Sequence, residues 1–450
     1  MNERFDAVIL GMGPGGEAVA SRLMAAGRRI AIVERELIGG ECAYWACIPS
    51  KTLLRPAEAA GAVDRAAGVA GATLDWPATR AYRDDMIRHL DDGRQVKRYG
   101  EKGVTVFKAT GRLAGPGRVE VDGRTLETDH IVIATGSSAV VPDIPGLDQV
   151  CVWTNREATT LAEIPDRVAM IGGSAVGVEL GQFLHRYGAH VTILERSDRL
   201  VVREDPGVGK VIGSRLAAEG IDVRTNAAVE SAYRKDRDSV LVLTDGTELR
   251  CDVVVIGAGR RPRTADLGLQ TVGITPGDKG QLDVDESGRL GDGVWAVGDV
   301  TAVMPFTHVA MYQARVVADT ILGKPRTATY RGIPRVIFCD PEVAAVGLTR
   351  AQADEERLRT AYVELDLARS ISRPALYEQD PQARMGLLAD RSRGVLLGAW
   401  AVAPLAGEWI HQAALAIRAE IPITVLRDQV AQFPTYSEAY LVALERLDLD

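Results

Sequence analysis

Phe5-Asp6-Ala7-Val8-Ile9-Leu10-Gly11-Met12-Gly13-Pro14-Gly15-Gly16 begins with a short apolar run of strand length and breaks at once into a glycine-rich turn. The turn satisfies G-x-G-x-x-G, in which Gly11 makes the tight turn, Gly13 lets backbone approach a pyrophosphate, and Gly16 lets the following helix pack on the strand. A second apolar run, Ile30-Ala31-Ile32-Val33, ends at Glu34. That acid falls about 20 residues beyond the glycines, where a carboxylate hydrogen-bonds a ribose hydroxyl. The glycine motif alone is a weak signal. Strand, turn, helix, strand and acid in this order predict a βαβ unit built to hold a dinucleotide.

The same text recurs further along. Val168-Ala169-Met170-Ile171 leads into Gly172-Gly173-Ser174-Ala175-Val176-Gly177-Val178-Glu179, and Val191-Thr192-Ile193-Leu194 then ends at Glu195. An internal repeat of a dinucleotide unit implies two nucleotides in one α/β chain. Ser174 stands where the middle glycine is usual, so approach to a pyrophosphate is slightly more crowded here. Glu195 can accept from a ribose 2′-hydroxyl and would repel a 2′-phosphate, which favours NADH over NADPH. Arg196 and Arg199 follow it and would clamp a phosphate if the loop turned them inward.

Between the two repeats lies Gly39-Gly40-Glu41-Cys42-Ala43-Tyr44-Trp45-Ala46-Cys47-Ile48-Pro49-Ser50-Lys51. Two thiols four residues apart meet the reach of a disulfide if the segment turns into the start of a helix. Pro49 suits a first helical turn, because its missing N–H would be unpaired there in any case. A helix N-terminus favours the thiolate, so one sulfur should be reactive when reduced. Two inert buried cysteines are the bland alternative.

Bulk properties narrow the field. The 450 residues suffice for two to four domains, and charged and apolar fractions of 25% and 46% are ordinary for a folded globular chain. A net charge of −8 argues against nucleic acid or an anionic membrane as partner. No uninterrupted apolar stretch is long enough to span a bilayer, and charges near the start oppose a signal peptide, so a cytoplasmic location is expected. Five cysteines in so long a chain do not make a secreted disulfide scaffold, which makes a close pair more plausibly catalytic than structural. Cys151, Cys251 and Cys339 stand singly and read as core residues, and no His/Cys cluster has zinc spacing, so no metal is expected.

Further elements follow from pattern. Residues 50–70 and the stretch Trp76 to Tyr99 are expected as helices, with strand-like text at 104–107 and 118–121. Ile131-Val132-Ile133 runs into Ala134-Thr135-Gly136-Ser137, and Pro142, Pro145 and Gly146 punctuate a passage to a new domain. Val253–Ile256 leads to Gly257-Ala258-Gly259-Arg260, Val294-Trp295-Ala296-Val297 leads to Gly298-Asp299, and a helix is expected over 308–322. From about Tyr330 the pattern is α+β, with alternating strand-like segments and two helical ones.

Together these motifs resemble the flavoprotein disulfide reductases, the class I pyridine nucleotide-disulfide oxidoreductases that include dihydrolipoamide dehydrogenase, glutathione reductase and mercuric reductase. The family's active-site string is similar to GGTCLNVGCIPSK. This chain keeps both cysteines, the flanking glycines and the Cys-Ile-Pro-Ser-Lys end, with Tyr44 and Trp45 replacing smaller or polar residues between the thiols. The resemblance implies two Rossmann-like domains and a C-terminal α+β dimerisation domain: FAD on 1–145 and 260–328, NAD(P) on 146–259, and a homodimer interface on 329–450. It further implies that Cys42 and Cys47 form the redox-active disulfide, with Cys47 beside the flavin and Cys42 facing substrate, and that Lys51 and Glu179 pair near the flavin. Thr135 and Gly136 would touch the flavin, Gly298 and Asp299 its ribityl chain, and His308 would lie near it. The second nucleotide falls to Gly172, Ser174, Gly177, Glu195 and Arg196, with Gly259 at the exit of that domain. Ala175 stands where the family often has an aromatic gate, so that pocket is expected to be open.

One departure bears on chemistry. The family carries a string similar to His-Pro-Thr-x-x-Glu that reaches the partner's disulfide, its histidine serving as acid and base. Here the string is Phe433-Pro434-Thr435-Tyr436-Ser437-Glu438, and no histidine follows His411. Loss of a general acid/base costs about 10²–10⁴-fold in a proton-transfer step. The expected acceptor is therefore one that needs little proton donation, such as a quinone, another electrophile or an unusual small disulfide. A relative that cleaves a thioether ketone and carboxylates the product is similar in carrying phenylalanine here, but has histidine where this chain has Glu438. That carbanion chemistry is one alternative and a low-turnover redox-sensing flavoprotein the other. Mercuric reduction is less expected, because the C-terminal cysteine pair of that type is missing from Leu447-Asp448-Leu449-Asp450.

Overall fold

A computed structural model describes residues 3–69 and 71–449. The chain forms two compact units, one of Met1–Pro49, Ala81–Val140 and Gly259–Thr329, the other of Ser50–Arg80, Val141–Ala258 and Tyr330–Asp450. Two of the five divisions fall inside the helices Cys47–Arg65 and Trp76–Met86.

The first unit is built on a sheet whose main path runs Arg289–Gly291, Val294–Ala296, Arg124–Ile133, Glu3–Leu10, Ile30–Val33, Thr105–Phe107. The inner pairs are parallel, with Ala7 opposite Ile30 and also opposite His130. A parallel sheet needs cover on both faces, and successive residues of a strand point to opposite sides. Val8, Leu10, Ala31, Val33, Ile131 and Ile133 accordingly enter one apolar cluster, while Ala7, Ile9, Ile30, Ile32 and Val132 enter another. The second cluster packs under the helices Pro14–Ala25 and Thr307–Ile321 through Val19, Leu23, Ala314 and Val317.

In the second unit a parallel five-stranded sheet runs Asp222–Arg224, His190–Leu194, Arg167–Ile171, Val253–Ile256, Val152–Trp153. The strands Val229–Lys235, Asp238–Leu243 and Glu248–Cys251 form a separate antiparallel sheet. The C-terminal part holds an antiparallel sheet in the order Pro334–Ile337, Val343–Gly347, Val395–Val402, Arg384–Asp390, Thr360–Asp366. Ala413, Ile417, Tyr440 and Leu444 from the helices His411–Arg418 and Glu438–Arg446 seal one face against Met385, Leu387 and Ala401. This is the expected fold class: a Rossmann-type α/β core with a separate C-terminal α+β domain.

Two expectations about elements need correction. Trp76 to Tyr99 is not one helix: Trp76–Met86 and Gly93–Glu101 are separated by Arg88, His89 and Leu90, all left-handed at φ +54°, +51° and +57°. Left-handed backbone costs a non-glycine residue about 1–2 kcal/mol, and local contacts offset it here. The Asp91 carboxylate accepts from Gly93 N at 2.8 Å, and the turn delivers Arg88 to the Tyr44 hydroxyl at 3.1 Å. Beyond Tyr330 several short helices replace the two expected, because strand pairing there leaves many brief connections to cover.

Candidate active site

The first glycine turn has the geometry its sequence demands. Gly11 sits at φ +95°, and a Cβ there would lie 2.4 Å from the Ala134 carbonyl oxygen. A Cβ on Gly16 would lie 2.1 Å from the Gly11 oxygen and 3.4 Å from the Ala134 Cβ, so the third glycine lets the helix start close over the turn at the strand ends. At Gly13 a Cβ would meet nothing, which leaves open space beside the start of the helix Pro14–Ala25. Glu34 closes the unit: its Oε2 accepts from Met12 N at 2.7 Å and its Oε1 from Glu36 N at 2.7 Å. Burial pushes the Glu34 carboxyl above the usual carboxylate range, against the pull of those two amides.

The cysteine segment is pinned to this turn. Gly39 N donates to the Met12 carbonyl at 2.7 Å, and Gly40, at φ +60°, passes so near that a Cβ would lie 2.8 Å from Gly13 Cα. Cys42 then falls in the short helix Gly40–Tyr44, and Cys47 is the first residue of Cys47–Arg65. The Thr307 hydroxyl lies 3.3 Å from Cys42 Sγ and 3.3 Å from Cys47 Sγ. Thr307 opens the 15-residue helix Thr307–Ile321, so two helix N-termini begin at the sulfurs, an arrangement that favours negative charge. Tyr44 does not line a pocket. It is wholly buried, donates to the Ile38 carbonyl and lies under the Arg88 guanidinium, so it is part of the packing that holds the segment.

Beside the sulfurs runs a charged network. Arg263 holds Glu41 at 2.9 Å, and Arg260 donates to the Ser137 hydroxyl at 2.8 Å, which in turn donates to Asp299 Oδ2 at 2.5 Å. Thr135 Oγ1 donates to the Arg263 carbonyl at 2.7 Å. Gly136 and Gly259, at φ +71° and +122°, have open space where a Cβ would stand, and Gly298 lies at φ +82°. Asp299 is thus fixed at the end of the strand Val294–Ala296, with Gln313 Oε1 accepting from Gly298 N at 2.7 Å. This cradle, with the open face of Gly13, fits an extended dinucleotide. Sequence reading missed Thr307, Glu41, Arg260, Ser137 and Arg263; the only available signal was their position next to recognised motifs.

In the second unit the other turn has matching geometry. Gly172 lies at φ +108° with a Cβ position 2.7 Å from the Gly257 oxygen, and a Cβ on Gly177 would lie 2.0 Å from the Gly172 oxygen. Glu195 accepts from Gly173 N and Ser197 N, each at 2.8 Å. Ser174 turns its hydroxyl to the Gly257 carbonyl at 2.8 Å. Arg196 is exposed, and Arg199 is bound to Asp198 and the Val202 carbonyl at 3.1 and 3.2 Å. Lys51 and Glu179 form an ion pair at 2.7 Å, with the other Glu179 oxygen accepting from Phe338 N and the Lys51 ammonium over the Phe338 ring.

Near the C-terminus Phe433 is 71% exposed and Glu438 opens the helix Glu438–Arg446, its Oε2 buried without a hydrogen-bond partner among the described residues. Cys251 and Cys339 are buried; burial pushes the Cys251 thiol up to about 12 and the Cys339 thiol well above its ordinary value, which makes both inert at neutral pH. Among the described residues no group of three or more His, Cys, Asp or Glu has metal-binding geometry, and no helix is long and apolar enough to cross a membrane.

Rossmann-type nucleotide units combined with a cysteine pair define a class of flavin- and nicotinamide-dependent oxidoreductases. Comparison with known proteins makes this specific: residues 5–314 match the pyridine nucleotide-disulphide oxidoreductase family and residues 333–444 its dimerisation domain, and the chain belongs to that family. It is 35% identical to a mercuric reductase of Streptomyces lividans over 99% of this chain and 97% of the relative. With a dihydrolipoyl dehydrogenase of Thermus scotoductus it shares 33% identity over 98% and 97%. Among solved structures, the HOCl-induced flavoprotein disulfide reductase RclA of Escherichia coli superposes with TM-score 0.87 at 27% identity, covering 98% of this chain and 100% of that one. LpdA of Mycobacterium tuberculosis gives 0.86 at 27%, covering 99% of each. The protein is therefore an enzyme of the oxidoreductase class. Family membership implies binding of FAD and NAD(P)H, and the dimerisation domain supports a homodimer.

Proposed function

We propose that the chain is an NAD(P)H-dependent flavoprotein that passes electrons to the Cys42/Cys47 pair and on to a small-molecule acceptor other than an ordinary disulfide. The observation that carries this reading is the Thr307 hydroxyl within 3.3 Å of both sulfurs, which holds them as one reactive unit where two helices begin. Residues 1–145 and 260–328 hold FAD, through Gly11, Gly13, Gly16, Glu34, Thr135, Gly136, Gly298 and Asp299. Residues 146–259 hold the nicotinamide nucleotide, through Gly172, Ser174, Gly177, Glu195 and Gly259, with NADH preferred because Glu195 repels a 2′-phosphate. Arg196 stays outside that contact.

FAD, when bound, supplies two-electron transfer between the nicotinamide and the sulfurs. Lys51 and Glu179 balance charge, and 329–450 completes the active site of a second subunit in a cytoplasmic homodimer. In this reading Phe433 reaches the partner's sulfurs where a histidine would serve as acid and base, so it shields them from water without giving a proton. Glu438, which would have oriented that histidine, keeps a carboxylate oxygen without a hydrogen-bond partner among the described residues. The acceptor is accordingly a quinone, an electrophile or a small disulfide with a good leaving group. Soft metal ions join the candidates through the names of the relatives, which include mercuric reductases and a Cu(II) complex of RclA.

Anaerobic titration of the flavin-loaded protein with NADH, followed by a panel of acceptors, tests the proposal. NADH is expected to bring up the long-wavelength absorbance of a thiolate beside flavin, and Cys47→Ser to abolish it. Quinone, Hg(II) or Cu(II) turnover should exceed lipoamide or glutathione disulfide turnover by about 10²-fold or more, the scale of a missing acid/base. Lipoamide turnover at the rate of a histidine-bearing relative would refute the acceptor assignment. Carbon dioxide incorporation, or flavin reduction without turnover of any acceptor, would replace it by the carboxylase or sensor reading.

A further inference from the structure

The redox reading leaves a proton to place. Two-electron reduction of the disulfide with uptake of one proton breaks the S–S bond and leaves one thiol and one thiolate. Only the thiolate is a nucleophile, so whichever sulfur meets the acceptor must be the deprotonated one. With phenylalanine at position 433, the string that carries the family's base offers none here.

Thr307 touches both reacting atoms. Its Oγ1 lies 3.3 Å from Cys42 Sγ and 3.3 Å from Cys47 Sγ. A hydroxyl has one hydrogen to give and two lone pairs to accept with. Thr307 Oγ1 donates to Cys42 Sγ, and with Cys47 Sγ either atom can donate. The hydroxyl can therefore accept from a Cys47 thiol while donating to a Cys42 thiolate, the arrangement in which a proton relay from Cys42 to Cys47 ends. One helix starts at Cys47 and another at Thr307, and helix N-termini favour negative charge on the sulfurs near them. Phe306 and His308 flank Thr307 with their rings stacked 5.2 Å apart and 9° from parallel, which braces the turn that aims the hydroxyl. Titratable residues near the sulfurs on these elements are Glu41, held by Arg263 at 2.9 Å, Tyr44, Lys51, paired with Glu179 at 2.7 Å, and His308.

We propose that Thr307 is a catalytic residue that relays the single proton between Cys42 and Cys47. The S–H bond of Cys42 breaks as its proton passes to Thr307 Oγ1, and the Thr307 proton passes to Cys47, forming an S–H bond there. Threonine ends as it began, the negative charge has moved from Cys47 to Cys42, and no electron is exchanged. The relay rests on the redox role proposed above and replaces, within one chain, part of what a histidine base would do.

The test uses flavin-loaded protein reduced with dithiothreitol, freed of reductant anaerobically and alkylated with iodoacetamide across a pH series, with the modified cysteine identified by mass spectrometry. Thr307→Val keeps the shape and removes the hydroxyl. It is expected to slow Cys42 alkylation at pH 7 by roughly ten- to a hundredfold, the scale of a lost hydrogen bond to a charged group, and to move the pH profile alkaline. Thr307→Ala should repeat the loss, and Thr307→Ser should recover most of the rate. Unchanged profiles in Val and Ala overturn the relay, and so does a loss that serine fails to rescue, since that would mark a packing role. Because dithiothreitol loads the electrons, this outcome is separate from whether NAD(P)H reduces the pair, which thiol counting after NADH addition decides.

Discussion

The two glycine turns match in backbone geometry at their first and middle positions and differ in what they present. Gly13 and Ser174 have matching dihedrals, φ −70°, ψ −176° and φ −76°, ψ −177°, and each caps a 12-residue helix. Each unit also closes with a glutamate that accepts from the second residue of its turn. The middle position is extended backbone that any residue adopts, so its glycine is wanted only for the space in front of it. The first and third positions are different: at each a carbonyl oxygen within 2.0–2.7 Å of the would-be Cβ leaves no room for a side chain, and at the first, Gly11 and Gly172, the backbone also has positive φ. The second unit has serine at the optional position and keeps the obligatory glycines.

The comparison is broken most sharply at an obligatory glycine. Gly11→Val and Gly172→Val each force left-handed backbone, costing about 1–2 kcal/mol, onto a carbonyl that cannot retreat. The first is expected to yield protein without bound flavin by absorbance. The second should keep its flavin but lose NADH reduction, followed by stopped flow. Loss of flavin in both would show that the units are not independent.

The glutamates sharpen it at intermediate scale. Burial raises the Glu34 carboxyl, so the folded state binds a proton more readily than the unfolded chain, and the stability from this group falls as pH rises from the ordinary carboxylate range through the raised value. The carboxylate is the form that accepts from a ribose, so flavin affinity runs the other way: mild acidification should release flavin above the ordinary carboxylate range, and Glu34→Gln should flatten that dependence. Glu195→Gln should leave flavin release unchanged and narrow the NADH-over-NADPH preference by about tenfold, the scale of one hydrogen bond and one removed repulsion. Steady-state KM values for both nucleotides check this.

The smallest expected effect is at the optional position. Ser174→Gly loses a bond to the Gly257 carbonyl and gains room, so KM for NADH should change by less than about threefold. A larger drop would mean that the serine restricts nucleotide entry.

Periodicity and punctuation made much of this protein legible in its sequence. Short apolar runs ending in glycine turns specify parallel strands buried on both faces, because no other arrangement both covers such runs and satisfies a turn with positive φ. The spacing of Cys42 and Cys47 before Pro49 marked the start of a helix for the same local reason. The break at Arg88–Leu90 could not be read, since arginine, histidine and leucine carry none of the glycine or asparagine signal for left-handed backbone.

What the chain determined by itself, then, is whatever depends on neighbours within a few residues: the turns, the strand runs, the acids at strand ends. The tertiary structure alone decided which distant groups meet, bringing Thr307 to both sulfurs across more than half the sequence and Arg260 to Ser137. Such contacts arise from sheet order and helix packing, where many side chains share the cost of placement, and no local pattern encodes them.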